Sequence, residues 1–265
     1  MRRVATVFLA ALALSSSTGA HPLGDFTISH YLGLTIEAEQ VSVRYIVEMA
    51  ELATFQEFAA IDTNGNRSPD RQELTAYGQR IAQEYARGLP LTIDGVGLPW
   101  RVEAQQVHWQ TGEGRGPTLR VECTLSADTT SLPATALHHL QLENTNHRNR
   151  SGWREIVVMP GAGINVFDST AFGSGITAEL THYPSDLLTV LQEQRVLCAF
   201  MTGTIPAGAV ALQTRDGRKV EARAAAWLIS AKTKLMGWML ACLGAGLLVI
   251  LGQRRYFPRL TSRVS

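Results

Sequence analysis

The sequence predicts a mainly β fold, an Ig-like β-sandwich interrupted by a helix-loop-helix and followed by one C-terminal transmembrane helix. Three patterns predict it. Short segments alternate apolar and polar residues between Gly-rich turns, the two-residue period of strands with one face in a core. Between about residues 49 and 87 the apolar spacing changes, twice, to the three-and-four step of a helix around a short polar loop. From Leu235 to Leu251 the chain runs 17 residues without a charge, about 25 Å as a helix and long enough to cross hydrocarbon.

The first 20 residues read as a secretory signal peptide: Arg2 and Arg3, the apolar run Val4 to Leu14, then small residues ending at Ala20. Cleavage there makes His21 the mature N-terminus. Phe26, Ile28, Leu32, Leu34 and Ile36 alternate with polar residues or glycine, and Val41, Val43, Tyr45 and Val47 repeat the pattern after a polar turn, so two strands form a hairpin. Leu52, Phe55, Phe58 and Ala59 share one face of a first helix, and Leu74, Tyr77, Ile81 and Tyr85 mark a second. Strands are expected at 89–93, 100–109, 119–125, 137–142, 153–159 and 164–167, with a turn at Asp94-Gly95. Residues 187–198 read as a short helix. Arg254 and Arg255 directly after the apolar run place residues 252–265 in the cytoplasm, giving a single-pass type I protein of the cell membrane whose domain, residues 21–231, is extracytoplasmic.

The polar loop carries the most specific chemistry. Asp62, Asn64, Asn66, Ser68, Asp70 and Glu73 occupy positions 1, 3, 5, 7, 9 and 12 of a twelve-residue run, the oxygen spacing of an EF-hand calcium loop. Calcium takes six to eight hard oxygen donors; carboxylates, amide oxygens and the Ser68 carbonyl supply them, with Glu73 bidentate. The sixth position, where the turn favours glycine, is Arg67. A left-handed arginine costs ~1 kcal/mol and adds positive charge, so weak binding is expected. The competing reading is a solvated turn that caps the second helix, with Ser68 as N-cap and Pro69 at the first helical position.

Charge narrows the partners. Without the eight basic residues of the two termini, the extracytoplasmic part keeps 16 basic against 23 acidic residues, a balance of −7. That disfavours nucleic acid and weakly favours cations. Of three cysteines, Cys242 lies in the apolar run, while Cys123 and Cys198 either pair in an oxidising compartment or remain as buried thiols.

A mature His21 offers an α-amine and a ring nitrogen to Ni2+, Co2+ or Cu2+, and Pro22 blocks chelation through the second amide. His30 is a further candidate ligand, although its strand parity also fits a core histidine. His138 and His139 are adjacent on a strand, face opposite ways, and read as surface or strand-end residues. No G-x-S-x-G, H-E-x-x-H, phosphate-binding loop or C-x-x-C is present, and a non-enzymatic role is expected.

The strings HPLGDFTISHY (21–31), VRYIVEMAELATFQEF (43–58), DTNGNRSPDRQEL (62–74) and SGWREIVV (151–158) together resemble the extracytoplasmic N-terminal region of bacterial nickel/cobalt transporters. The resemblance covers about residues 21 to 225. It implies a role beside a metal permease as partner, and it supports the transition-metal reading of His21. Those proteins carry a multi-helix permease after this region, whereas a single apolar run follows here.

Overall fold

A computed structural model describes residues 26–111, 116–133, 135–184 and 189–220. The signal-peptide reading, His21, the apolar run 235–251 and the tail lie outside the described residues. Among those described, no helix is long and apolar enough to cross a membrane.

The fold is mainly β. β1 (Ile28–Ile36) and β2 (Gln40–Met49) form the expected hairpin, registered from Ile28 opposite Met49 to Ile36 opposite Val41. Two helices follow, α1 (Glu51–Ile61) and α2 (Arg71–Arg87). The chain then forms β3 (Leu91–Ile93), β4 (Val96–Leu98), β5 (Arg101–Thr111), β6 (Pro117–Asp128), β7 (His138–Glu143), β8 (Arg154–Pro160), β9 (Ile164–Phe167) and β10 (Arg195–Thr202). They make two five-stranded sheets, ordered β5-β6-β2-β1-β8 and β4-β3-β7-β10-β9. β8 runs parallel to β1, with Arg154 beside His30. Every other pairing between strands is antiparallel.

One apolar cluster joins the sheets. Leu32, Leu34, Val43 and Val121 from the first meet Leu91, Leu140, Val196 and Phe200 from the second. Helix α2 adds Tyr77, Ile81 and Tyr85, the face its periodicity predicts. It lies close on the first sheet at Gly78, where a Cβ would come within 2.9 Å of Val107 Cγ2. The residue is glycine because the helix and β5 leave no room for a side chain. Cys123 and Cys198 lie in the same core as free thiols, each pushed up to about 12 by burial.

Four expectations change. Residues 195–198, read as part of a helix, open strand β10, whose mixed burial gives no clean alternation. Helix α1 turns Ala53, Thr54 and Ile61 inward and leaves Leu52 and Phe55 outside, at 39% and 69% exposure. The small side chains allow close approach, and Thr54 Oγ1 donates to the Met49 carbonyl at 3.0 Å. Helix α2 starts two residues later than the Ser68-Pro69 reading: Asp70 is its N-cap. His138 opens β7, at a strand end as expected, but it is buried and not on the surface, and its Nδ1 lies 2.7 Å from Asp94 Oδ2.

Candidate functional site

The loop from Asp62 to Glu73 is closed by its own oxygens. Asp62 ends α1 and accepts the Asn66 amide on Oδ1 at 3.1 Å and the Arg67 amide on Oδ2 at 2.8 Å. Asn64 Oδ1 also accepts from the Asn66 amide, and Asn66 Oδ1 from the Ser68 amide, at 2.9 and 2.8 Å. These short side chains each fold onto a backbone N–H two to five residues ahead, as Asp and Asn do in turns. Arg67 adopts φ 64°, the left-handed turn that glycine would take more cheaply.

Glu73 closes the other side. Its Oε1 accepts from the Thr63 hydroxyl at 3.1 Å and the Asn64 amide at 3.0 Å, and its Oε2 accepts the Asp70 amide at 3.1 Å. Asp70 Oδ1 accepts the Glu73 amide at 2.9 Å, which completes a capping box. The Asp70 and then the Asn64 amide hold the Glu73 carboxyl below the usual carboxylate range. Thr63 and Asn64 follow α1 while Asp70 opens α2, so one carboxylate ties the helices together; Tyr77 adds a hydroxyl bond to Glu57 Oε2 at 3.2 Å.

As a donor set this loop suits a hard cation: it offers only oxygens, in ligand order. Its carboxylates are not gathered into one cage. Among the described residues, no three His, Cys, Asp or Glu side chains stand close enough together to hold a metal ion. Glu73 is turned onto backbone donors, so loading requires it to give up part of that cap.

His30 lies elsewhere, 1% exposed on β1, between β2 and β8 in the first sheet. Its Nδ1 is 2.6 Å from the Tyr45 hydroxyl, which is in turn 3.2 Å from Asn144 Oδ1. Its histidine neighbour is His147, with ring centroids 5.6 Å apart. His30 is therefore brought to His147 and not to the acidic loop. Burial lowers the His30 pKa well below the ordinary value, with Arg154 and His147 adding to it. Burial, then Arg154 and Arg150, lowers His147 to about 4. Sequence reasoning missed this cluster of His30, Tyr45, Tyr85, His147 and Arg154. The one available signal was an Arg-Glu pair opening an otherwise apolar strand in REIVVMP.

Set against models of known protein families and against curated proteins of known function, the chain matches none.

Proposed function

We propose that this is a membrane-anchored extracytoplasmic binding domain, non-enzymatic, whose EF-hand-like loop takes calcium and which serves nickel/cobalt transport beside a permease. The observation that carries the calcium reading is the loop backbone. With arginine at the sixth position the chain still makes the left-handed turn and closes on Asp62 through two amides. Asp62, Asn64, Asn66, the Ser68 carbonyl, Asp70 and Glu73 would hold the ion, which would offset the repulsion among three carboxylates and fix α1 to α2. The strings shared with nickel/cobalt transporter domains, the apolar run 235–251 and the acidic balance support the rest, including the lipid bilayer as anchor. Ni2+, Co2+ or Cu2+ at the amine and ring of His21 belongs to the same reading. The two sheets around one core favour the Ig-like sandwich.

Calcium titration of the full chain in detergent tests the loop. Melting should rise at 10⁻⁴ to 10⁻³ M calcium, the range of extracellular modules, and the rise should vanish in Asp62→Ala. An unchanged melt up to 10 mM, with the protein folded, rejects calcium. For the terminal site, nickel binding should weaken when one residue is added before a mature His21; equal binding rejects it.

A second reading is an interaction module that docks a membrane partner without metal dependence. The outer face of α1 favours it: Phe55, 69% exposed, stacks on Phe58 at 6.4 Å, and Phe58 meets Trp109, which packs against the core, at 5.8 Å. Co-purification of a permease that persists in chelator and is lost in Phe55→Glu would decide for it.

A further inference from the structure

Asn64 is followed by Gly65, whereas the other five asparagines of the chain are each followed by a residue that carries a side chain. A side-chain amide one residue before glycine faces a backbone nitrogen that no Cβ shields. Asn64 and Gly65 are both exposed in the loop after α1. Gly65 takes φ 73°, and a Cβ built on it meets nothing within 4 Å, so solvent has open access to the peptide bond between the two. Among the described residues no acceptor holds the Gly65 N–H, although its neighbours on both sides donate to the loop carboxylates.

The Asn64 side chain is folded forward over this peptide bond. Its Oδ1 accepts the Asn66 amide at 2.9 Å, an Asx turn that spans Gly65. The same amide is in place to bear the negative charge that an attack on Asn64 Cγ would put on Oδ1. Asn66 supplies the contrast within one turn. Its Oδ1 makes the matching bond to the Ser68 amide at 2.8 Å, but the next nitrogen belongs to Arg67 and donates to Asp62 Oδ2 at 2.8 Å. Elsewhere Asn144 is 1% exposed, and Asn146 commits its Nδ2 to the Tyr85 carbonyl at 3.0 Å.

We propose that Asn64 is a site of spontaneous deamidation in the folded protein, and that its conversion to aspartate and isoaspartate loosens the tie between α1 and α2. Hydroxide takes the Gly65 amide proton, and the nitrogen attacks Asn64 Cγ. The N–Cγ bond forms, the Cγ–Nδ2 bond breaks, and the side-chain nitrogen takes up a proton and leaves as ammonia, giving a cyclic succinimide. Water opens the ring at Cγ to give aspartate, or at the former backbone carbonyl carbon to give isoaspartate. Isoaspartate adds one carbon to the main chain at the point where Thr63 and the Asn64 amide hold Glu73 Oε1. Aspartate keeps the backbone and adds a negative charge among Asp62, Asp70 and Glu73. Water and hydroxide are the only co-reactants, so the step is independent of calcium.

The test uses the full chain in detergent with a chelator present, so that a failed calcium titration leaves it untouched. Folded protein is stored at neutral and at mildly alkaline pH, then digested and mapped by mass spectrometry. Position 64 should gain the mass of an amide-to-acid exchange many-fold faster than Asn66 or any other asparagine, and faster at the higher pH. Protein isoaspartyl methyltransferase should label the same peptide. Asn64→Gln, whose attack would need a larger and slower-forming ring, should stay unconverted at that position and keep its melt on storage, while the melt of the stored wild type falls. Conversion at Asn64 no faster than at Asn66, or conversion only after the chain has been unfolded in urea, overturns the site. Full conversion with a melt equal to that of stored Asn64→Gln overturns its effect on the two helices.

Discussion

Lowering the pH from 7 to 5 is expected to remove about 2 kcal/mol of stability through His147 alone. Its folded pKa is about 4 against an ordinary 6.5, because burial and then Arg154 and Arg150 oppose a charge on the ring. The unfolded chain therefore takes up the proton first. The contribution is complete above pH 6.5 and is lost as pH falls, with a limiting slope of about 1.4 kcal/mol per pH unit between the two pKa values. His30 is lowered for the same reasons and adds a loss of the same sign. His138 acts the other way: hydrogen bonding to Asp94 outweighs the opposing effect of burial and raises its pKa, so its stabilisation is present below 6.5 and disappears as pH rises. His147→Asn isolates the first effect, because asparagine accepts the left-handed backbone and does not titrate. Urea unfolding of the full chain, followed by tryptophan fluorescence at half-unit steps of pH, gives the slope. The variant should lose about 2 kcal/mol less than the wild type between pH 7 and 5. Superimposable pH profiles would refute the assignment of a buried neutral ring to His147.

Other expectations follow from single contacts. Arg67→Gly should raise stability by up to about 1 kcal/mol by relieving the left-handed turn, and on the calcium reading should tighten binding in the same titration. Glu73→Gln keeps the shape of the cap and removes its charge; a loss of about 1 kcal/mol in urea unfolding is expected. A Cβ at Gly152, φ 149°, would stand 2.0 Å from the Ile28 carbonyl oxygen, so Gly152→Ala should cost more than about 3 kcal/mol or prevent folding. With both described cysteines free and buried, reductant should leave the melt unchanged, and thiol reagents should label Cys123 and Cys198 only on unfolding. Phe55→Ser should leave stability within about 0.5 kcal/mol, since the ring is outside the core.

The β1–β2 hairpin was legible because each strand puts apolar residues on alternate positions, and Asp94-Gly95 because both residues take positive φ in a tight turn. β10 was not. Val196 and Cys198 alternate, but Ala199 and Phe200 are buried together, and a strand apolar on both faces has no two-residue period. In α1 the sequence shows which residues are apolar but not which face the sheet accepts; close packing favoured Ala53 and Thr54 over Phe55. The ligand order of the acidic loop is plain from spacing. That Glu73 folds onto Asn64 and Asp70 depends on where α2 begins, and one residue of shift would give that cap away. The cluster at Arg154 brings together positions 30, 85, 147 and 154 from four segments, and no local pattern announces a left-handed histidine.

The parallel pairing of β1 with β8 sets an order on folding. Ser29 and Trp153 are bonded across 124 positions of sequence, so β1 has only its hairpin partner until most of the domain exists. Closing so long a loop is entropically uphill before the pairing rewards it, which slows folding. In the interval β1 presents an open edge of apolar residues to any other unfinished chain. A nascent copy is accordingly most vulnerable to misassembly through its earliest strand, and a holding chaperone for this protein would be expected to bind there.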